Sequence, residues 1–162
     1  MSAAVVVIGV GNELRGDDAA GLLTVRAVDG TALPSAVQIV ESDGEAARLL
    51  GQWSGADTAI VVDAVRTGAP PGTVLRVDVE SDTALPSRWS GAGGTHALGI
   101  ADAVALGRAV GAMPDRLVVI GIEVASTETG SPPGPAVRQA VGAAARMVEE
   151  EVAACVSPRP AG

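Results

Sequence analysis

The chain has 162 residues, 48% of them hydrophobic and 19% charged. That composition fits one folded domain able to bury roughly 70% of its unfolded surface, and it excludes a disordered segment. With two Trp, no Phe and no Tyr, the core must be built from Val, Ala, Leu and Ile, and the aromatic platforms that stack single-stranded nucleic acid are missing. Its 11 basic residues, all Arg, stand against 19 acids for a net charge of -8, which repels phosphate backbones and anionic lipid, so neither nucleic acid nor a membrane is an expected partner.

In chain order, residues 4–10 (AVVVIGV) form a β-branched run closed by Gly9 and Gly11, the pattern of a parallel strand buried on both faces. Asp17 and Asp18 then precede AAGLLTVRAV, a first helix with acids where free backbone N–H groups and the helix dipole favour them. Strand two is expected at 37–40. After Asp43-Gly44, the residues Ala46, Leu49, Leu50 and Trp53 mark one face of a second helix. Strand three, 58–62 (TAIVV), ends in Asp63, and a turn through Gly68, Pro70, Pro71 and Gly72 leads to an antiparallel strand four at 74–79. Residues 80–94 have no periodicity and form a long loop of the kind that often carries function. A third helix starts from Thr95-His96 and continues through Leu98, Ala101, Ala105 and Ala109; strand five, 117–122, ends in Glu123. Beyond Pro132, Pro133 and Pro135, a final helix carries Val137, Val141, Ala144, Ala145, Val148 and Val152 on one side, with Glu149, Glu150 and Glu151 as a solvated stretch.

Strands alternating with helices predict a single-domain, three-layer α/β sandwich: a twisted, mostly parallel five-stranded sheet with helices on both faces. The domain spans 1–162, with an ordered core at about 4–155 and a tail at 156–162. Its binding crevice is expected at the carboxyl ends of the strands. The lone Cys155 allows neither an internal disulfide nor a cysteine zinc site, and residues 3–10 are far short of the ~20 needed to span a bilayer. A cytoplasmic monomer is the expected form.

The first βα turn, GVGNELRGDDAAG, begins like a dinucleotide fingerprint, but Leu14 stands where the third glycine is required. Asp17 and Asp18 bring negative charge to the helix start, which suits a cation better than a pyrophosphate; the plain alternative is that both only cap the helix. Asp63 falls at a strand end that points into the crevice, unless it only caps the following turn. His96, the only histidine, follows a loop long enough, at up to ~50 Å, to carry it back to the same edge. Two carboxylates and an imidazole form an open oxygen and nitrogen set for a borderline divalent ion such as nickel, iron or zinc. The chain has no HExxH, GxSxG or P-loop, and Cys155 sits on the apolar side of the last helix, which argues against a nucleophile triad.

GVGNELRGDDAAG resembles the G-x-G-N-x-L-x-x-D-D/E-G-x-G opening of the hydrogenase maturation proteases, endopeptidases that trim the C-terminus of the nickel–iron hydrogenase large subunit. VVDAVRTGAPPGTV resembles that family's D-A…G-x-P-G-T-V segment, GGTHALGIADAVAL its approach to a histidine, and VVIGIEVAS with PAVRQAV its last strand and helix; together the likeness runs from about residue 5 to about residue 150. Ala19 departs from the family's Gly after the acidic pair, and Asp43-Gly44-Glu45-Ala46 departs from its D-G-G-T box. The resemblance implies metal ligands at Asp18, Asp63 and His96, a nickel ion presented by the large-subunit precursor (other divalent ions fit the same site), and a carboxylate, Asp17 or Asp43, that activates water. It implies an endopeptidase of the aspartic type that removes the precursor's C-terminal extension. The same three ligands would also serve a noncatalytic nickel chaperone, and Gly9, Gly11 and Glu41 leave a nucleotide-binding domain as a third reading.

Overall fold

The computed structural model describes residues 4–12, 16–28, 33–34, 36–79, 90–91, 99–125 and 133–156; at residues 17, 18, 90, 91 and 156 the description is of the backbone alone. The strands are β1 (Val5–Val10), β2 (Val37–Ser42), β3 (Thr58–Arg66), β4 (Val74–Val79), β5 (Ser90–Gly91) and β6 (Arg116–Glu123). The helices are α1 (Ala20–Val28), entered through a 3-10 turn at Gly16–Ala19, then α2 (Ala46–Trp53), α3 (Gly99–Val110) and α4 (Pro135–Val156). The sheet runs β2-β1-β3-β6-β4, parallel except for β4 on β6, and the two-residue β5 pairs antiparallel with β3. The expected doubly wound α/β sandwich is what the chain forms.

Strand alternation sorts the core into two layers. Val5, Val7, Ile60, Val62, Val118, Ile120 and Ile122 pack with α1 and α4, while Val6, Ile8, Val10, Val61, Val65, Leu117 and Val119 pack with α2 and α3. The central strands are therefore apolar at nearly every position, which is why the sequence shows continuous runs instead of alternation. Trp53, fully buried, closes the second layer and donates its indole N–H to the carbonyl of Ala112 at 3.2 Å.

Several boundaries differ from the sequence expectation. β2 continues to Ser42, α4 reaches Val156, and helix three is described from Gly99. Strand three does not end at Asp63 but runs on to Arg66, because β6 keeps pairing with it from Asp63↔Gly121 to Val65↔Glu123 after β1 has stopped at Gly9↔Val62.

Nor are the three glutamates of α4 uniformly solvated. Glu150 is exposed, but Glu151 is buried at 9% and forms ion pairs with Arg76 and with Arg116 at 3.2 Å; Asp78 also pairs with both arginines. The hydrogen bond that Arg76 donates to Glu151 is the main influence holding its guanidinium above its ordinary value. At Arg116 burial pulls the other way, but the Asp78 hydrogen bond and the charges of Asp78 and Glu151 outweigh it. Without such partners a buried carboxylate would be strongly destabilising.

Candidate functional site at the carboxyl edge

Asp63 is 7% exposed. By strand alternation it shares a sheet face with Val61 and Val65, the face covered by α2 and α3. It lies one residue past the end of the β1–β3 ladder, so β1 no longer pairs with β3 beside it, at the carboxyl edge where the crevice rule expects a site. Its Oδ1 accepts the backbone N–H of Ala64 at 2.8 Å. A glycine, Gly121, is its register partner on β6.

Close backbone approaches gather the other candidate segments at this edge. A Cβ on Gly21 would lie 2.2 Å from the carbonyl oxygen of Val10 and 2.4 Å from that of Val62. Only glycine lets the start of α1 press onto the carboxyl ends of β1 and β3, and that contact brings the Asp17–Asp18 backbone, three and four residues earlier, to the same edge. The N–H of Gly11 donates to the carbonyl of Ser42 at 3.0 Å, joining the first βα turn to the end of β2. Gly99, the first residue of α3, meets Gly44 so closely that a Cβ there would fall 1.9 Å from the Gly44 oxygen. Gly91 of β5 is the register partner of Val65, two residues from Asp63.

His96 lies outside the described residues, between the anchors at Gly91 and Gly99. The side chains of Asp17 and Asp18 are also outside them. No group of three or more His, Cys, Asp or Glu with metal-holding geometry occurs among the described residues, where Asp63 alone of the three expected ligands has its side chain described. Asp43 is exposed; its Oδ2 takes Arg48 Nη1 at 2.6 Å and its Oδ1 takes the Glu45 N–H at 3.1 Å. Glu45, one of the residues that depart from D-G-G-T, caps α2 by accepting the N–H groups of Ala47 and Arg48, each at 3.0 Å. Glu41, the acid a nucleotide ribose would need, is bound by Arg26 at 2.5 Å. Cys155 is half-buried and lies 3.7 Å from Arg116 Nη1, at the amino end of β6. The length of β6 puts that end about 23 Å from the crevice end.

Glu123 is the buried carboxylate that sequence reasoning did not select. It is 3% exposed, stands two residues along β6 from Gly121, and shares the face of Asp63. Its oxygens accept the Thr67 N–H at 2.9 and 3.0 Å, the Thr67 hydroxyl at 2.7 Å and the Gly68 N–H at 3.2 Å. The signal was present: like Asp63, Glu123 is an acid closing an apolar run.

A doubly wound sheet with buried acids at its carboxyl edge places the chain among α/β proteins with an acidic crevice site. A family model described as Hydrogenase maturation protease matches residues 24–151. The Hydrogenase 2 maturation protease of Escherichia coli (strain K12) is 31% identical over 126 residues, 76% of this chain and 75% of that protein. The hydrogenase expression/formation protein HupD of Thiocapsa roseopersicina is 31% identical over 153 residues, 92% of this chain and 67% of that one. Among solved structures, the hydrogenase maturating endopeptidase HybD from E. coli superposes with TM-score 0.77 at 27% identity, covering 93% of this chain and 92% of the other. The solution structure of an endopeptidase from Escherichia coli gives 0.78 at 30% identity, over 89% and 88%. The chain belongs to the hydrogenase maturation protease family and is a hydrolase acting on peptide bonds. Among the described residues, no helix is long and apolar enough to cross a membrane.

Proposed function

We propose that this protease removes the C-terminal extension of a nickel–iron hydrogenase large-subunit precursor that already carries nickel, the metal entering as part of the substrate. Asp18, Asp63 and His96 complete the coordination of that ion, so the precursor is recognised by its metal and its scissile peptide is set down beside it. The observation that carries this reading is the buried Asp63 at the end of the β1–β3 ladder, with Gly21 pressing the Asp17–Asp18 segment onto the same edge. Gly91 and Gly99 support the place of His96 in the set, since they flank it five and three residues away and contact β3 and Gly44. A carboxylate and an imidazole suit nickel as donors.

Hydrolysis adds a water oxygen to the scissile carbonyl carbon and returns the proton to the departing nitrogen. Asp17 and Asp43 are the carboxylates proposed to take that proton from water. Asp43 begins from a structural commitment to Arg48 and the Glu45 N–H, so it would have to leave those partners to serve. We place the protein in the cytoplasm, since its lone Cys155 fits a reducing compartment.

The test is incubation with apo precursor, nickel-loaded precursor and an isolated C-terminal peptide at equal concentration, with the product mass measured. The reading expects cleavage of the nickel-loaded precursor and little of the other two. Nickel-dependent binding without a shortened product would make the chain a chaperone instead, and efficient cutting of the free peptide would remove the metal from recognition.

A further inference from the structure

We propose that Glu123 is a positioning residue for the precursor's tail: its carboxylate fixes the turn that follows the Asp63 strand, residues 67–73, as a surface for that tail at the carboxyl edge. This rests on the proposed cleavage of the precursor and adds a residue to it. Three observations carry it. First, the carboxylate is 3% exposed, yet all its hydrogen bonds go to one short segment, Thr67 and Gly68, immediately after the strand that bears Asp63. Second, the same residue clamps the far side of that turn through its backbone, its N–H donating to Thr73 O and its carbonyl accepting from Gly72 N–H, each at 2.8 Å. Third, Glu123 and Asp63 share a sheet face on adjacent strands, Asp63 opposite Gly121 and Glu123 two residues on, a diagonal of about 8 Å between Cα atoms.

The chemistry of the contact explains why a carboxylate is needed. Thr67 and Gly68 present three donors, and only an acceptor with two oxygens answers all of them; a glutamine would turn an N–H towards at least one N–H. The turn itself is exposed at Gly68, Pro70 and Pro71, so its outer surface faces solvent while its base is locked. A peptide docking against a prefixed surface loses less freedom on binding than one that must also order the surface. Glu123 therefore acts on substrate capture and not on the bond-breaking step.

The experiment measures cleavage of nickel-loaded precursor by the full chain, separating KM from kcat, for wild type, Glu123→Gln and Thr67→Val. We expect KM about 10-fold higher for Glu123→Gln and about 3-fold higher for Thr67→Val, with kcat within about 2-fold of wild type in both. A merely structural role would leave KM alone in the folded fraction and lower only the amount of active protein, so unchanged KM in either folded variant overturns the proposal, as does a loss confined to kcat. If Glu123→Gln does not fold, Thr67→Val, which removes only the hydroxyl, decides the matter by the same KM criterion. Wild type that fails to cut the precursor overturns the cleavage reading itself, whereas a wild type that cuts beside variants with unchanged KM overturns only the role of Glu123.

Discussion

The two ends of β6 each bury a glutamate, and they answer its charge in opposite ways. At the amino end, Glu151 of α4 lies between Arg76 and Arg116, so its charge is cancelled where it sits. At the carboxyl end, Glu123 is held by the N–H and hydroxyl groups of Thr67 and by the Gly68 N–H, all neutral, beside Asp63. Neutral donors satisfy the oxygens without discharging them, which preserves a field that attracts cations; guanidinium partners satisfy and discharge together. The amino end thus answers its buried charge with guanidinium groups and the carboxyl end with neutral donors, and Cys155, beside Arg116, belongs to the first.

Three substitutions sharpen this contrast. Gly21→Ala has the largest expected effect on folding, a loss of about 3 kcal/mol or failure to fold, because the new Cβ would sit 2.2 Å from a backbone oxygen that cannot step aside. Thermal melting measures it. Survival of Gly21→Ala with an unchanged melting point would mean that α1 does not press on the strand ends. Glu151→Gln comes next, at about 1 to 3 kcal/mol, discounted because the arginine side chains it leaves behind are 33% and 36% exposed. Since both guanidinium groups titrate above their ordinary range, the stability they contribute is undiminished across the neutral and mildly alkaline range and is lost only as pH rises through their raised values. The Glu151→Gln deficit should therefore be equal at about pH 7 and about pH 10 in urea unfolding. The smallest effect is a gain: Gly142→Ala, on an open face of α4 with no atom within 4 Å of its Cβ, should add about 0.5 to 1 kcal/mol.

Most of this layout was legible in the amino-acid order. Strands buried on both faces leave unbroken apolar runs, so β1 and the bodies of β3 and β6 showed themselves, and the apolar faces of α2 and α4 fell at helical spacing. What was hidden depended on a neighbour. The last residues of β3 extend because β6 is there to pair with them, and nothing local to Asp63 records that. Glu151 occupies the stripe of Val148 and Cys155, three residues after one and four before the other, yet its charge argued for solvent; only Arg76 and Arg116, distant in sequence, reverse that. The cap that Glu45 supplies to α2 was likewise masked, since glutamate is not among the residues that usually cap a helix through the first N–H groups. For the site, Asp63 was found by the same rule that would have found Glu123, because both are acids at the end of an apolar run over the crevice.

The most direct test of the division between the two ends compares Asp63→Asn with Glu151→Gln in one experiment, reading both the melting temperature and the mass of the nickel-loaded precursor's C-terminus after incubation. The account predicts that Asp63→Asn melts within a few degrees of wild type but leaves the precursor uncut, with at least about a 100-fold loss of rate, while Glu151→Gln melts earlier and still cuts at the wild-type rate below its transition. A folded Asp63→Asn protein that cuts at the wild-type rate would contradict it.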